Sequence, residues 1–454
     1  MRIALLASFL LLAPGSLAQE GSIAIRAGRV MTNDGATLEN GTILVVNGRI
    51  QAVGAADKVE LPFDVLLKEY PEATVFPGFL VAHTSSGVDR ANENVPIAPF
   101  LNVKDSIDPV SFYYEDELRK GVVAMGVIPG NNCVIGGLGR IVAPHGMTVE
   151  AMTVQEDMGM KISFAPRYRS SRSAHLASLR SAIDNLNADL RILGQSLLDR
   201  QAAEGDLKRA GEEVEEKPAH DGDAEDNEGG YLRFGEDFPG KALISEEDVK
   251  EVQRGLVDIL NGDLNLWVYC PEPVDVVHAR DWLQQHGLIE KTVLVVSPST
   301  WKAVDVLKEM ARPVVLLPSG TGNLFHVERD PVTYREKRTF VPKVFAEAGL
   351  TFSLTAASGS MGPDRLAYQA ATCVREGLSR QVALNAVTKN PAAAWGMADR
   401  LGRLAEGADG TFTVLDGDPL DVRTKVLEVW VRGKKVYSRD EDLRLQRLLE
   451  GNAN

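Results

Sequence analysis

Clustered basic residues, a cysteine framework and membrane-length apolar runs are all missing from this chain. Lys and Arg number 49 against 63 Asp and Glu, a formal net charge of -14. Nucleic-acid binding needs clustered cations to neutralise phosphates, so that class is set aside. The three cysteines, Cys133, Cys270 and Cys373, are odd in number, far apart and in no CxxC or CxxH arrangement. That excludes a disulfide scaffold and leaves room for one bridge at most; small buried residues are the simpler reading. The longest apolar run, residues 3–12, is too short to cross a bilayer as a helix.

What that run does fit is a secretory signal, with Arg2 before it, a Pro14-Gly15 break after it and Ser16-Leu17-Ala18 as a small-x-small cleavage site. Residues 1–18 are expected to be removed, which makes the mature protein exported, periplasmic or extracellular, with no membrane span. A length of 454 residues suggests about three domains or one large barrel with an accessory unit, and a 44% hydrophobic content supplies a sizeable core.

Two stretches share one β-rich pattern. Near the start, IAIRAGRVM and TILVVNGRIQAVG are short alternating runs with Asn47-Gly48 as a hairpin turn; near the end, GTFTVLDGDPL and VLEVWVRGKKVYS carry Arg432-Gly433 in the same place. Residues 19–75 and 401–454 are therefore expected to form one small β-sandwich from both chain ends. Between them, from 76 to 400, buried-strand patterns (TVFPGFLVA, GVVAMGVIP, NLWVYC, TVLVVSP, PVVLLP, LTFSLTAA) alternate with helical ones. This predicts an α/β fold, a (β/α)8 TIM-type barrel, with chemistry at the C-terminal strand ends. Residues 204–236, mostly Glu, Asp, Gly, Ala and Lys, read as a solvated acidic insertion without the spacing of a calcium loop.

FPGFLVAH, GVVAMGVIPGNNCVIGGLGRIV and GLSRQVALNAVTKNPAAAWGMADRLGRLAEGADGTFTVLDGDPLD resemble, over nearly the whole mature chain, the amidohydrolase superfamily in its imidazolonepropionase-like branch. The resemblance implies a metal-dependent hydrolase scaffold acting on carbon-nitrogen bonds. It also implies ligands that this sequence does not supply. A second histidine two residues after His83 is replaced by Ser85. A bridging Lys or Glu is expected after the strand in GMKISFAPRYR, beyond Lys161, where Ala165 and Pro166 stand. Cys270 and Ser297 occupy two further histidine positions, and Ala357 or Ser358 that of the last-strand Asp; Gly349 to Gly362 contains no Asp, Glu or His. Hydroxyls are poor zinc ligands beside imidazole and carboxylate, and the missing Asp is also the base for the attacking water.

His83 is thus a residual single-ligand candidate, read first as a pocket or hydrogen-bonded residue. Cys270 as nucleophile with His83 as base is weighed against a small buried residue. Asn131 and Asn132 follow a Pro-Gly turn and have amides suited to a ligand. VIGGLGR lacks dinucleotide-loop spacing and reads as a tight loop. Ser360 fails the GxSxG order, and His326 with Glu328 and Asp330 reads as a solvent-facing loop cluster. The pocket candidates are His83, Ser85, Asn131, Asn132, Cys270, Ser297 and Ser358. The expectation is a pseudoenzyme that binds a small molecule or assembles with an active paralogue, with no cofactor. The alternative is an active hydrolase with a reduced or relocated zinc site.

Overall fold

The structure, a computed structural model, describes residues 21–210, 230–319, 323–356 and 365–451. The expected signal segment, Ala357, Ser358 and most of the acidic insertion lie outside them. Among the described residues, no helix is long and apolar enough to cross a membrane.

Along the chain, β1 (Ile23–Val30), β2 (Leu38–Val46), β3 (Arg49–Ala55) and β4 (Leu66–Phe76) precede β5 (Phe79–Thr84), α1 (Phe112–Arg119), β6 (Val122–Val127), β7 (Ile135–Val142), α2 (Val149–Met152), β8 (Thr153–Ser163) and α3 (Arg172–Ala210). There follow α4 (Glu251–Asn261), β9 (Leu266–Tyr269), α5 (Pro273–Gln285), β10 (Thr292–Val296), α6 (Val304–Met310), β11 (Val314–Leu316), β12 (Phe325–Arg329), β13 (Glu336–Phe340), α7 (Val341–Glu347) and β14 (Phe352–Leu354). The chain closes with α8 (Leu366–Arg375), α9 (Arg380–Asn385), α10 (Lys389–Ala394), β15 (Phe412–Leu415), β16 (Val426–Val431), β17 (Lys434–Ser438) and α11 (Leu443–Glu450).

Both chain ends meet in one sheet, ordered β17-β16-β15-β4-β1-β2-β3 and continuous in its hydrogen bonding. Its core includes Ile25, Ile43, Val45, Val75, Phe412 and Trp430. The two expected hairpin turns form with positive φ at both central residues, 51° and 78° at Asn47-Gly48 and 48° and 74° at Arg432-Gly433. Such turns match the twist of the flanking strands.

The second sheet, ordered β14-β11-β10-β9-β8-β7-β6-β5, is a nearly closed eight-stranded barrel. It departs from the expected all-parallel repeat at β7, which is antiparallel to both β6 and β8. VIGGLGR is accordingly not a loop but mostly strand β7, and its glycines are packing devices: a Cβ on Gly137 would lie 2.3 Å from Leu101 O, and one on Gly139 2.9 Å from Ile128 Cγ1. Between β14 and β5 the junction of α9 and α10 fills the seam, Ala386 O accepting from Leu354 N at 2.8 Å and Val387 O from Leu80 N at 3.0 Å. Trp395 Nε1 adds a bond to Ala82 O at 3.1 Å.

The acidic insertion is shorter than expected. Residues 204–210 continue α3, and Leu232 and Phe234 pack on the core because they are apolar in an otherwise charged stretch.

Sheet passes to barrel through Pro77 and Gly78 alone. Gly78 has φ +79°, and a Cβ there would stand 2.3 Å from Val123 Cγ1. Gly78→Ala combines backbone strain with a clash and is expected to cost about 2 kcal/mol or more in urea unfolding. An unchanged midpoint and slope would show that this link is not constrained as described.

Candidate functional site

All six residues of β5 are buried, so alternation alone decides which side chains face the lumen. His83 faces inward and accepts, at Nε2, a hydrogen bond from Lys161 Nζ at 2.8 Å. Lys161 stands on β8, separated from β5 in the sheet by β6 and β7, so this bond crosses the lumen. Gly136 of β7 admits the lysine stem, since a Cβ there would be 3.0 Å from Lys161 Cβ. Tyr269 lies beneath the ammonium at 5.3 Å, and the Trp267 ring centroid is 6.2 Å from that of His83. Thr355, just past β14, donates from Oγ1 to His83 O at 2.6 Å and fixes the backbone that carries the ring.

Lys161 is the residue that sequence reasoning passed over as too early in its strand. A lysine side chain is long enough to reach from mid-strand into the lumen, and inward alternation on β8 was the signal that pointed to it. Lys161 is fully buried and His83 nearly so. Burial lowers the Lys161 pKa from 10.5 to about 7. Burial first, and the neighbouring Lys161 charge second, hold the His83 ring well below its usual 6.5, so it stays neutral and accepts the bond.

Of the other candidates, Cys270 lies within electrostatic range of Lys161, and the rest that the structure describes do not join this pair. Ser85 is half-buried beyond β5. Cys270 is buried, its thiol pushed up by burial and directed to Val268 O at 3.6 Å, so no thiolate is stabilised. Cys133 and Cys373 are likewise buried and unpaired. Ser297 Oγ donates to Pro271 O at 2.7 Å and accepts from Ser299 N at 3.1 Å, capping a short helical turn. Asn132 is a loop staple, with N bonded to Asn92 Oδ1 at 2.9 Å and Oδ1 taking Tyr168 N at 2.8 Å. Asn131 Oδ1 is buried with no partner among the described residues. Ser358 lies outside them. His326 sits on β12 of a two-stranded hairpin rather than on a loop, 6.3 Å from the Trp301 ring.

This donor set does not fit a zinc centre. His83 Nε2 is engaged by an amine, and what stands at the expected histidine positions is hydroxyls and a protonated thiol. Among the described residues no three His, Cys, Asp or Glu side chains are grouped to hold a metal ion.

Comparison with known proteins places these features. Residues 358–437 match the amidohydrolase family. The matched stretch runs from the last barrel helices into the small sheet. A curated relative, amidohydrolase tasK of Hapsidospora irregularis, is 33% identical over 91 residues, which are 20% of this chain and 9% of the relative's own length. Among solved structures, an amidohydrolase from Thermotoga maritima is similar over 92% of this chain and 100% of its own, with a TM-score of 0.68 and 20% identity. A zinc-bound adenosine deaminase from Xanthomonas campestris is similar over 94% and 96%, with a TM-score of 0.50 and 16% identity. At these identities the likeness is one of fold.

A lysine with a depressed folded pKa destabilises the fold while it carries charge, and that penalty is relieved as pH rises from about 7 toward 10.5. The stability of the wild type relative to Lys161→Met is therefore expected to rise by roughly 2–3 kcal/mol between about pH 6 and about pH 9 in urea titrations. A difference independent of pH would mean that Lys161 does not titrate there.

Proposed function

We propose that this chain is an exported, non-catalytic binding or assembly member of the amidohydrolase superfamily. The observation that carries the reading is the 2.8 Å bond from Lys161 Nζ to His83 Nε2. An ammonium or amine N–H occupies the ring nitrogen that a metal ion would need, and the neighbours around the pair include the rings of Trp267 and Tyr269. His83 then serves as an acceptor that makes a buried lysine tolerable, and the strand-end loops are left for a small molecule or an active paralogue.

The pKa of Lys161 favours a second reading, an active carbon-nitrogen hydrolase with a relocated metal site. At about 7 the amine is partly neutral near physiological pH, the form able to ligate a metal or to take up carbon dioxide. In that reading Lys161 is the bridging ligand that the family resemblance implies.

Metal content separates the two. Protein purified without chelator is offered zinc, manganese or iron with bicarbonate, and the retained ions are counted beside Lys161→Met. The proposal expects well under one ion per chain in both. One or more tightly held ions per wild-type chain, lost in the variant, would overturn it and call for a screen against cyclic amides and dipeptides.

A further inference from the structure

The hairpin of β12 and β13 is a two-stranded sheet of its own, apart from the barrel sheet. One of its faces is packed: the His326 ring lies 6.3 Å from that of Trp301, and Glu328 takes Lys302 at 2.5 Å. The other face is open, with Val327 opposite Arg338 and Arg329 opposite Glu336, all four exposed. Arg338 stacks on Phe325 at 4.5 Å and Arg329 on Tyr334 at 5.0 Å. Stacking orients a guanidinium without using its N–H groups. Arg329, Arg335 and Arg338 make no ion pair or side-chain hydrogen bond among the described residues. The tip between the strands is well built, since Asp330 Oδ1 accepts from Val332 N at 2.9 Å and from Thr333 N at 2.6 Å. Yet it displays Val332 at 83% and Tyr334 at 65% exposure, and holds Tyr334 at φ +56°, a costly conformation for a bulky residue.

A cavity of about 250 Å³ lies between the loops that follow β5 and β6. Because β5, β6 and β11 run in one direction, this cavity and the hairpin after β11 share the mouth of the barrel. Val88, Val95 and Leu101 wall the cavity, and its charged groups are Asp89, Glu93 and Asp105 against one cation, Arg90. The three carboxylates are exposed and, among the described residues, unpaired. Free guanidinium groups around an apolar tip therefore stand at the same barrel end as free carboxylates around an apolar hollow. Within one chain they do not meet, because the packed face on Trp301 and Lys302 holds the hairpin where these charges stay unpaired.

We propose that the mouth is a two-fold interface with a second copy of this chain, the β12–β13 tip of each copy entering the cavity between the β5 and β6 loops of the other. Arg329, Arg335 and Arg338 meet Asp89, Glu93 and Asp105, while Val332 and Tyr334 meet Val88, Val95 and Leu101. A two-fold axis uses both elements twice and closes the assembly at two copies. Arginine and tyrosine are the residues that most often dominate such contacts, and guanidinium–carboxylate pairs add direction. The interface holds whether or not the lumen takes a metal, so its failure leaves the reading of His83 and Lys161 where it stands.

Sedimentation equilibrium of the full chain, from about 1 to about 100 μM, is expected to show a reversible dimer. Arg335→Glu with Arg338→Glu reverses the arm, and Asp89→Lys with Glu93→Lys reverses the cavity. All four positions are exposed, so both variants should unfold thermally as the parent does, and each alone should dimerise at least 10-fold more weakly. Mixed in equal amounts they should recover the dimer, because reversed arm then meets reversed cavity and parental arm meets parental cavity. Tyr334→Gly removes the ring and relieves the backbone together, so it should weaken the dimer without destabilising the fold. A parent that stays monomeric throughout that range, a dimer that these variants leave unchanged, or two folded variants that stay monomeric on mixing would overturn the proposal.

Discussion

The centre of the barrel is organised by one constraint: a lysine amine buried in the lumen must find an acceptor. His83 Nε2 is the acceptor, and its distance of 2.8 Å sets how β5 and β8 face each other across the space between them. Tyr269 beneath the amine offers its ring face, which favours the charged form weakly, while burial favours the neutral one strongly enough to bring the pKa to about 7. The glycine at position 136 follows from the same arrangement, because the lysine stem takes the room that its side chain would fill. Thr355, just past β14, then ties down His83 O across the seam, so the backbone that carries the ring is held from the neighbouring strand end.

Closing the barrel depends on parts that are not strands. The junction of α9 and α10 donates no new strand to the sheet, yet its carbonyls at Ala386 and Val387 accept from β14 and β5, and Trp395 bonds the β5 backbone beyond. This segment falls within the stretch that matches the amidohydrolase family. It leads directly into β15, so one continuous piece of chain seals the barrel and returns to the sheet begun by β1–β4. The Pro77-Gly78 link performs the reverse passage in two residues, which holds the small sheet against the N-terminal end of the barrel.

Local chemistry was easily read where it is dictated by backbone conformation or by a buried apolar run. Asn47-Gly48 and Arg432-Gly433 turn as the residue types require, and β5, β6, β9, β10, β11 and β14 lie within apolar runs visible in the text. The antiparallel β7 was missed because its glycines mimic a loop; only the neighbours they approach, Leu101, Ile128 and Lys161, reveal a strand packed on both sides. Lys161 was passed over because strand-end positions were searched by counting residues. Its side chain covers the distance that the count assigned to the backbone.

Sequence by itself determined the α/β class, the small sheet from both chain ends and the hairpin turns, since each follows from residue identity or short-range pattern. The pairing of His83 with Lys161, the direction of β7 and the filling of the seam were decided only by tertiary structure. The reason is distance along the chain. His83 and Lys161 are 78 residues apart, and Thr355 and His83 272 apart. No local pattern specifies which inward-facing side chains will share one lumen; packing and hydrogen-bond satisfaction in a closed, water-poor space do.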